Sequence, residues 1–259
     1  MTPKTPEQQM IERAKALRLH GILAHWEEIE DKQWIEQMLC WEEQERTRRS
    51  LERRLSEAHI GRFKPMSEFD WSWPTSCDRG AINALMSLEF IPEAGNVVLL
   101  GSNGVGKTMI ARNIAYQAVI AGYTALFVNA STILAELASQ DSERLLQQRF
   151  NRFTRPRLLV IDELGYLSYS TRYADLLFEL VSRRYEKNSI IITTNRPFSE
   201  WGEVFPSAAC VVSLIDRLLH NAEVLAIDGE SYRYKEAQER RNTREAKRKS
   251  PSKKAKAES

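Results

Sequence analysis

Two kinds of hydrophobic patterning divide this chain. Over residues 1–60 the apolar positions are scattered among Glu, Gln, Arg and Lys at helical intervals, and after Pro6 only Gly21 interrupts them. This predicts helices over 7–19 and 23–56. Trp26, Ile29, Trp34, Ile35, Met38, Leu39 and Trp41 form a band too broad for a coiled-coil seam, as in a small helical module that packs on itself or on a partner. From residue 96 onward the apolar residues gather into short unbroken runs instead. These are N-V-V-L-L (96–100), Y-T-A-L-F-V-N (123–129), R-L-L-V-I-D (157–162), S-I-I-I-T-T (189–194) and E-V-L-A-I (223–227). Such runs do not alternate with polar residues, so both faces of each strand are covered. Helical stretches fill the gaps. The expected architecture is α/β, a five-stranded parallel sheet with helices on both faces.

Between the two regions, residues 61–80 carry two prolines, two glycines and four aromatics, which marks a docked connector. Phe69, Trp71 and Trp73 alternate, as in an extended stretch with its rings on one side. The expected domains are a helical N-terminal oligomerisation or partner domain (1–67), an α/β domain (68–235) and a basic, disordered tail (236–259). The tail reading rests on charge: from residue 240 to 256 there are nine Lys or Arg against one acid, Glu245. Such a segment suits contact with nucleic-acid phosphates, or simply solubility. Arg46, Arg48, Arg49, Arg53, Arg54, Arg62 and Lys64 are a second basic set that could meet DNA. Glu42, Glu43, Glu45, Glu52 and Glu57 could equally balance them on a wet helix face.

The remaining composition narrows the class. The 259 residues are 42% hydrophobic with a net charge of +2. No apolar run approaches the ~18 residues of a membrane span, and the first residues lack the apolar core of a secretory leader. Cys40, Cys77 and Cys210 form no paired motif, which suits a reducing cytoplasm.

The strongest chemical signal is the run Gly101, Ser102, Asn103, Gly104, Val105, Gly106, Lys107 and Thr108, which fits G-x-x-x-x-G-K-[ST]. It sits between a predicted strand and a predicted helix, as a phosphate-binding loop must. Lys107 would reach the β- and γ-phosphates of ATP, and the Thr108 hydroxyl would ligate Mg²⁺. A second element, L-L-V-I-D-E, delivers Asp162 and Glu163 to the C-terminal edge of a central strand, where ligands of open α/β sheets bind. Asp162 would serve Mg²⁺, and Glu163 would orient the attacking water. The run I-I-I-T-T-N ends at Asn195, which could reach the γ-phosphate and that water, as could Thr193 or Thr194. Arg217 lies on an apolar helical stretch and Arg233 just after the last strand; both could sense phosphate. Arg183 and Arg184 are further candidates, unless they pair with Glu179 or Glu186.

Phosphate loop, D-E strand, Asn sensor and two late arginines, in that order, resemble an AAA+ ATPase. The words D-E-L-G-Y-L (162–167), T-T-N-R-P-F-S-E-W-G (193–202), D-R-L-L-H-N-A (216–222) and G-E-S-Y-R (229–233) resemble more narrowly the IstB family, the transposition helper ATPases of insertion sequences, close to the DnaC helicase loaders. The resemblance spans about residues 7–235. Met109-Ile110 and Phe205-Pro206 depart from common family wording, but at no nucleotide-contacting position. The resemblance implies ATP-dependent binding of duplex DNA, a homo-oligomer with nucleotide at subunit interfaces, remodelling of target DNA and recruitment or activation of a cognate transposase, with no membrane role. It also implies Arg217 as a finger acting in trans, Arg233 as a second sensor and Asn195 as the first. Two other functions share these motifs: a replicative helicase loader, and a nucleotide-switched DNA scaffold with little turnover, against which Glu163 argues.

Overall fold

The structure is a computed structural model. It describes residues 4–29, 31–166, 170–205 and 208–249. Residues 250–259, the end of the expected basic tail, lie outside the described residues. The chain divides into two compact units between Ser56 and Glu57.

The first unit is helical. Helix α1 (Pro6–Ala16) opens with a reciprocal cap: the Thr5 hydroxyl accepts from Gln8 N–H and the Gln8 side chain accepts from Thr5 N–H, with Pro6 in the first turn. Helix α2 (His20–Ala24) and a 3₁₀ turn (Trp26–Glu28) follow, then helix α3 (Gln33–Glu57). The long helix expected over 23–56 is therefore broken. The Asp31 carboxylate accepts from Gln33 N–H at 2.9 Å and restarts the helix after the break. Ala14, Leu17, Trp26, Ile35 and Leu39 form the core. The Trp26 indole N–H reaches Glu7 at 2.9 Å, and Arg13 grips Glu43 through two bonds of 2.9 and 2.8 Å. The apolar band is narrower than its sequence suggests: Trp34 is 50% and Trp41 61% exposed. On α3, Arg46, Arg48 and Arg49 pair with Glu42, Glu45 and Glu52, as a self-neutralised wet face would.

The second unit starts earlier than the expected boundary at 67/68, because residues 57–67 belong to it. Ala58 is buried and its carbonyl accepts from Phe127 N–H at 2.8 Å, covering a free edge of the sheet. The Asn113 side chain bonds Lys64 O and Met66 N, at 2.9 and 3.1 Å. A two-residue strand β1 (Ser76–Cys77) and helix α4 (Arg79–Leu85), capped by Asp78, lead into the sheet. The alternation then runs β2 (Asn96–Gly101), α5 (Lys107–Ile120), β3 (Ala125–Asn129), α6 (Ala130–Ala138), α7 (Glu143–Thr154), β4 (Leu158–Leu164), α8 (Thr171–Arg184) and β5 (Ser189–Thr194). It closes with α9 (Trp201–Val204), α10 (Ala208–Leu219), β6 (Ala222–Asp228) and α11 (Tyr232–Lys249).

The strand order is β1-β6-β2-β5-β4-β3. The five strands read from the sequence are the parallel ones; β1 adds a sixth, antiparallel, at the β6 edge. Two residues are too few to show as a pattern. Strands β2, β4 and β5 are buried almost throughout, as continuous Val/Ile/Leu runs require. On one face Phe150, Phe153, Leu177, Leu180, Trp201 and Leu214 pack against the sheet; on the other lie Ile110, Ile114 and Ala118 of α5.

The basic segment after residue 235 is not irregular where it is described: it is the helix α11, through Lys249. Residues 232–249 contain no Gly or Pro, and Arg240–Glu236 and Arg241–Glu245 pair one turn apart. Local helix propensity outweighs the low hydrophobicity that predicted disorder.

Candidate nucleotide site

The strand registers bring the chemistry to one edge. β2 ends at Gly101, and the loop turns through Gly104 (φ +84°) and Gly106 (φ +105°) into α5, whose first residues are Lys107 and Thr108. A side chain at Gly106 would meet the Phe69 ring at 2.5 Å, and one at Gly104 would meet the Ser231 hydroxyl at 2.2 Å. Both positions need glycine for conformation and for space.

Lys107 is only 6% exposed, and its ammonium donates to Gly101 O and Ser102 O at 2.7 and 2.8 Å. Burial lowers its pKa to about 8, and nearby Arg233 pushes the same way, against the carboxylates of Asp162 and Glu163. Asp162 is buried, and burial raises its pKa. Its Oδ1 accepts from Thr108 at 3.0 Å and from Thr193 at 2.6 Å. The structure therefore brings Lys107, Thr108, Asp162 and Glu163 together, as their order in the sequence predicts.

The β4–β5 register slips between Ile161 and Leu164. This bulge puts Glu163 at φ +61°, a conformation costly for a residue with a Cβ, by about 1–3 kcal/mol. The Glu163 N–H bonds the Thr193 hydroxyl at 2.9 Å. Thr193 thus holds both carboxylate residues, Asp162 through its O–H and Glu163 through its backbone. The parallel register also sets Asn129, the last residue of β3, beside Asp162, and its amide donates to the Glu163 carboxylate at 2.7 Å. Asn129 carried no signal in the sequence beyond ending a strand. Asn195 lies just past β5; its Oδ1 is buried and has no hydrogen-bond partner among the described residues.

Aromatic and charged groups from the connector and α11 wall the rest of the cleft, a cavity of about 220 Å³ lined by Phe69, Trp73, Tyr166, Tyr232 and Arg233 among others. The sequence marked Phe69 and Trp73 only as a docked connector, and gave no role to Tyr166 or Tyr232. Residues 66–74 turn rather than extend, so the rings face different neighbours: Phe69 packs on Trp71 at 4.7 Å and Trp73 on Tyr232 at 6.0 Å. Tyr166 donates from its hydroxyl to Asn103 of the phosphate loop. Its phenol is pushed above its usual range by burial.

The remaining arginines separate cleanly. Arg233 lines the cleft of its own chain. Arg217 does not: its guanidinium bonds the Ser182 hydroxyl and lies 4.6 Å over the Phe178 ring, near Asn96 and Asn221, at the opposite edge of the sheet. Arg183 pairs with Glu179 and lies 4.2 Å over Phe150. Arg184 is fully buried and donates to five backbone carbonyls, of Phe153, Thr154, Pro156, Arg157 and Ser189. It is a strut between the end of α7 and the start of β5, sealed from any surface where phosphate could be sensed. Burial lowers its pKa to about 9.

No helix among the described residues is long and apolar enough to cross a membrane. The fold resembles the crystal structure of DnaI, with a TM-score of 0.54 and 19% identity over 66% of this chain and 91% of that one. It also resembles AMPPCP-bound DnaA from Aquifex aeolicus, at 0.51 and 20%, over 68% and 56% of the two chains. These likenesses are of fold, a mostly parallel α/β sheet with helices around it. In sequence, the chain is 39% identical over 191 residues to an insertion sequence IS21 ATP-binding protein of Pseudomonas aeruginosa, covering 74% of this chain and 72% of the relative. It is 35% identical over 192 residues to the IS5376 counterpart of Geobacillus stearothermophilus, covering 74% and 76%. The family described as IstB-like ATP binding protein matches residues 7–240, and the chain, an AAA+ domain preceded by a small helical unit, belongs to that family.

Proposed function

We propose that this protein is an ATPase that assembles on target duplex DNA and recruits or activates a transposase during insertion-sequence transposition. The observation that carries the catalytic part is one cleft lined by a buried Lys107, Thr108 and Glu163, with Asp162 accepting from the Thr108 hydroxyl at 3.0 Å. The relatives' names, as ATP-binding proteins of insertion sequences, support the transposition part.

In this reading the loop from Gly101 to Thr108 wraps its N–H groups around the triphosphate, and Lys107 exchanges its two carbonyl partners for phosphate oxygens. Thr108 and Asp162 would hold Mg²⁺. A hydroxyl and a carboxylate with room for phosphate oxygens suit that hard cation, which neutralises charge on the β- and γ-phosphates. Glu163 orients the attacking water and takes its proton, and Asn129 holds the carboxylate until then. Thr193 fixes Asp162 and the Glu163 backbone, while Asn195, just beyond it, is the γ-phosphate sensor. Arg233 reads phosphate within its own subunit. Arg217, at the far edge, reaches the nucleotide of the neighbouring subunit in a homo-oligomer, with Arg183 the other candidate. The helical unit, which ends at Ser56, mediates subunit or partner contact.

Electron microscopy of the protein with duplex DNA tests the assembly. With a non-hydrolysable ATP analogue, regular oligomers should coat the duplex and retain the transposase of the same insertion sequence. Single subunits that ignore duplex in the presence of the analogue would refute the proposal.

A further inference from the structure

Helix α11 has two halves with different surroundings. Its root is bolted to the candidate nucleotide site: Tyr232 N–H donates to Gly104 O at 3.0 Å, and the Ser102 hydroxyl donates to Gly229 O at 2.9 Å just before the helix. Two ion pairs, Lys235–Asp70 at 3.2 Å and Lys64–Glu236 at 2.7 Å, tie the next turn to the connector. Beyond this root no described residue of the same unit covers the helix: residues 237–245 are exposed, with Arg240 73% and Arg241 78% exposed in their side chains. Residues 237–249 carry six Lys or Arg and two Glu.

A helix exposed all round buries no apolar stripe, and isolated helices shorter than ~12–15 residues are marginal in water. Beyond the Arg240–Glu236 and Arg241–Glu245 pairs, the excess of Lys and Arg along it adds repulsion. A polyanion laid against it would remove that repulsion. The arm has no aromatic residue after Tyr234, so it lacks the stacking platforms by which single strands are held. It also has no large apolar residue to anchor a protein interface. Its length, about 20 Å, spans several backbone phosphates of a duplex.

We propose that the free half of α11 is an arm that binds the phosphate backbone of duplex nucleic acid, and that its bolted root links this binding to occupancy of the nucleotide cleft. The linkage rests on the nucleotide reading above; the arm itself does not. Any shift of the phosphate loop at Ser102 or Gly104 is passed through two hydrogen bonds to the start of the arm. By reciprocity, duplex on the arm changes nucleotide affinity by the factor with which nucleotide changes duplex affinity.

The test uses the full chain and the triple variant Arg240→Ala, Arg241→Ala, Arg244→Ala. None of these residues lines the cleft, and alanine favours helix. Binding of a fluorescent duplex of arbitrary sequence is followed by anisotropy across a salt series, with and without an ATP analogue; a single strand and polyglutamate are the controls. The slope of log affinity against log salt should be shallower in the variant by about two to three, at ~0.9 per lost phosphate contact. Analogue binding without DNA should be unchanged. In the wild type the analogue should shift duplex affinity at least fivefold, and that factor should fall toward one in the variant. Equal slopes in the two proteins would overturn the arm. A slope difference with no analogue effect in the wild type would overturn the linkage alone. Equal loss of single-strand or polyglutamate binding would overturn the duplex assignment. Failure of the wild type to bind the analogue would instead strike at the nucleotide reading.

Discussion

The pKa of Lys107 makes nucleotide affinity a steep function of pH above neutrality. The ordinary value of 10.5 is lowered to about 8, mainly by burial. That drop corresponds to about 3 kcal/mol of disfavour for the ammonium. Phosphate binding requires the charged form and returns the pKa toward its ordinary range. At pH 7 about nine-tenths of the ligand-free protein is already charged at Lys107; at pH 9.5 only about 3% is. Between these values the affinity for an ATP analogue should fall about 30-fold, or ~2 kcal/mol. The fold moves in the opposite sense. A lysine whose folded pKa lies below its unfolded value penalises the native state fully below about 8 and not at all above 10.5, so stability contributed at this site rises through that window. Burial pushes the Tyr166 phenol above its usual value, away from this window. Competition binding with a fluorescent nucleotide at half-unit steps from pH 7 to 9.5 reads the effect. An affinity that stays flat to pH 9.5 would refute the reasoning, because Lys107 would then either be an ordinary lysine or contribute nothing to binding.

Three other substitutions probe separate parts of the account. Arg184→Met strands five carbonyls and should cost about 3–5 kcal/mol, lowering the melting temperature by roughly 10 °C, while hydrolysis per folded molecule stays normal; loss of turnover without loss of stability would make it a catalytic arginine after all. Asn129→Ala frees the Glu163 carboxylate and should raise DNA-independent hydrolysis severalfold at unchanged nucleotide affinity, so an unaltered basal rate would deny Asn129 a restraining role. Arg217→Ala should leave nucleotide binding by single subunits intact and suppress hydrolysis by the oligomer, and mixing it with Glu163→Gln subunits should restore part of the activity; absence of rescue would place Arg217 outside any shared site.

The sheet could be read from the sequence because its strands are unbroken apolar runs, and the phosphate loop because its chemistry fixes residue types at fixed spacing. What escaped were features set by three-dimensional register. Asn129 meets Glu163 only because β3 and β4 pair in parallel with Asn129 opposite Asp162. Thr193 gains its role from a bulge in β4 that no local pattern announces. Arg183 and Arg184 are adjacent in sequence and chemically alike, yet one lies over Phe150 beside Glu179 and the other is sealed among carbonyls. The charge-rich segment misled in the other direction: low hydrophobicity predicts disorder, whereas residues 236–249 have pairs one turn apart and continue a helix rooted on the phosphate loop.

The central claim is that one cleft binds ATP through the loop ending in Lys107 and Thr108 and hydrolyses it through Glu163. Glu163→Gln tests it most directly, since the amide keeps the shape and its backbone bond to Thr193 but cannot accept a proton from water. Equilibrium binding of ATP and its turnover with duplex DNA are measured on the same preparation. The account predicts binding within about twofold of wild type and a turnover rate about 10²–10⁴ lower. Turnover near the wild-type rate, or loss of ATP binding in a folded protein, would contradict it.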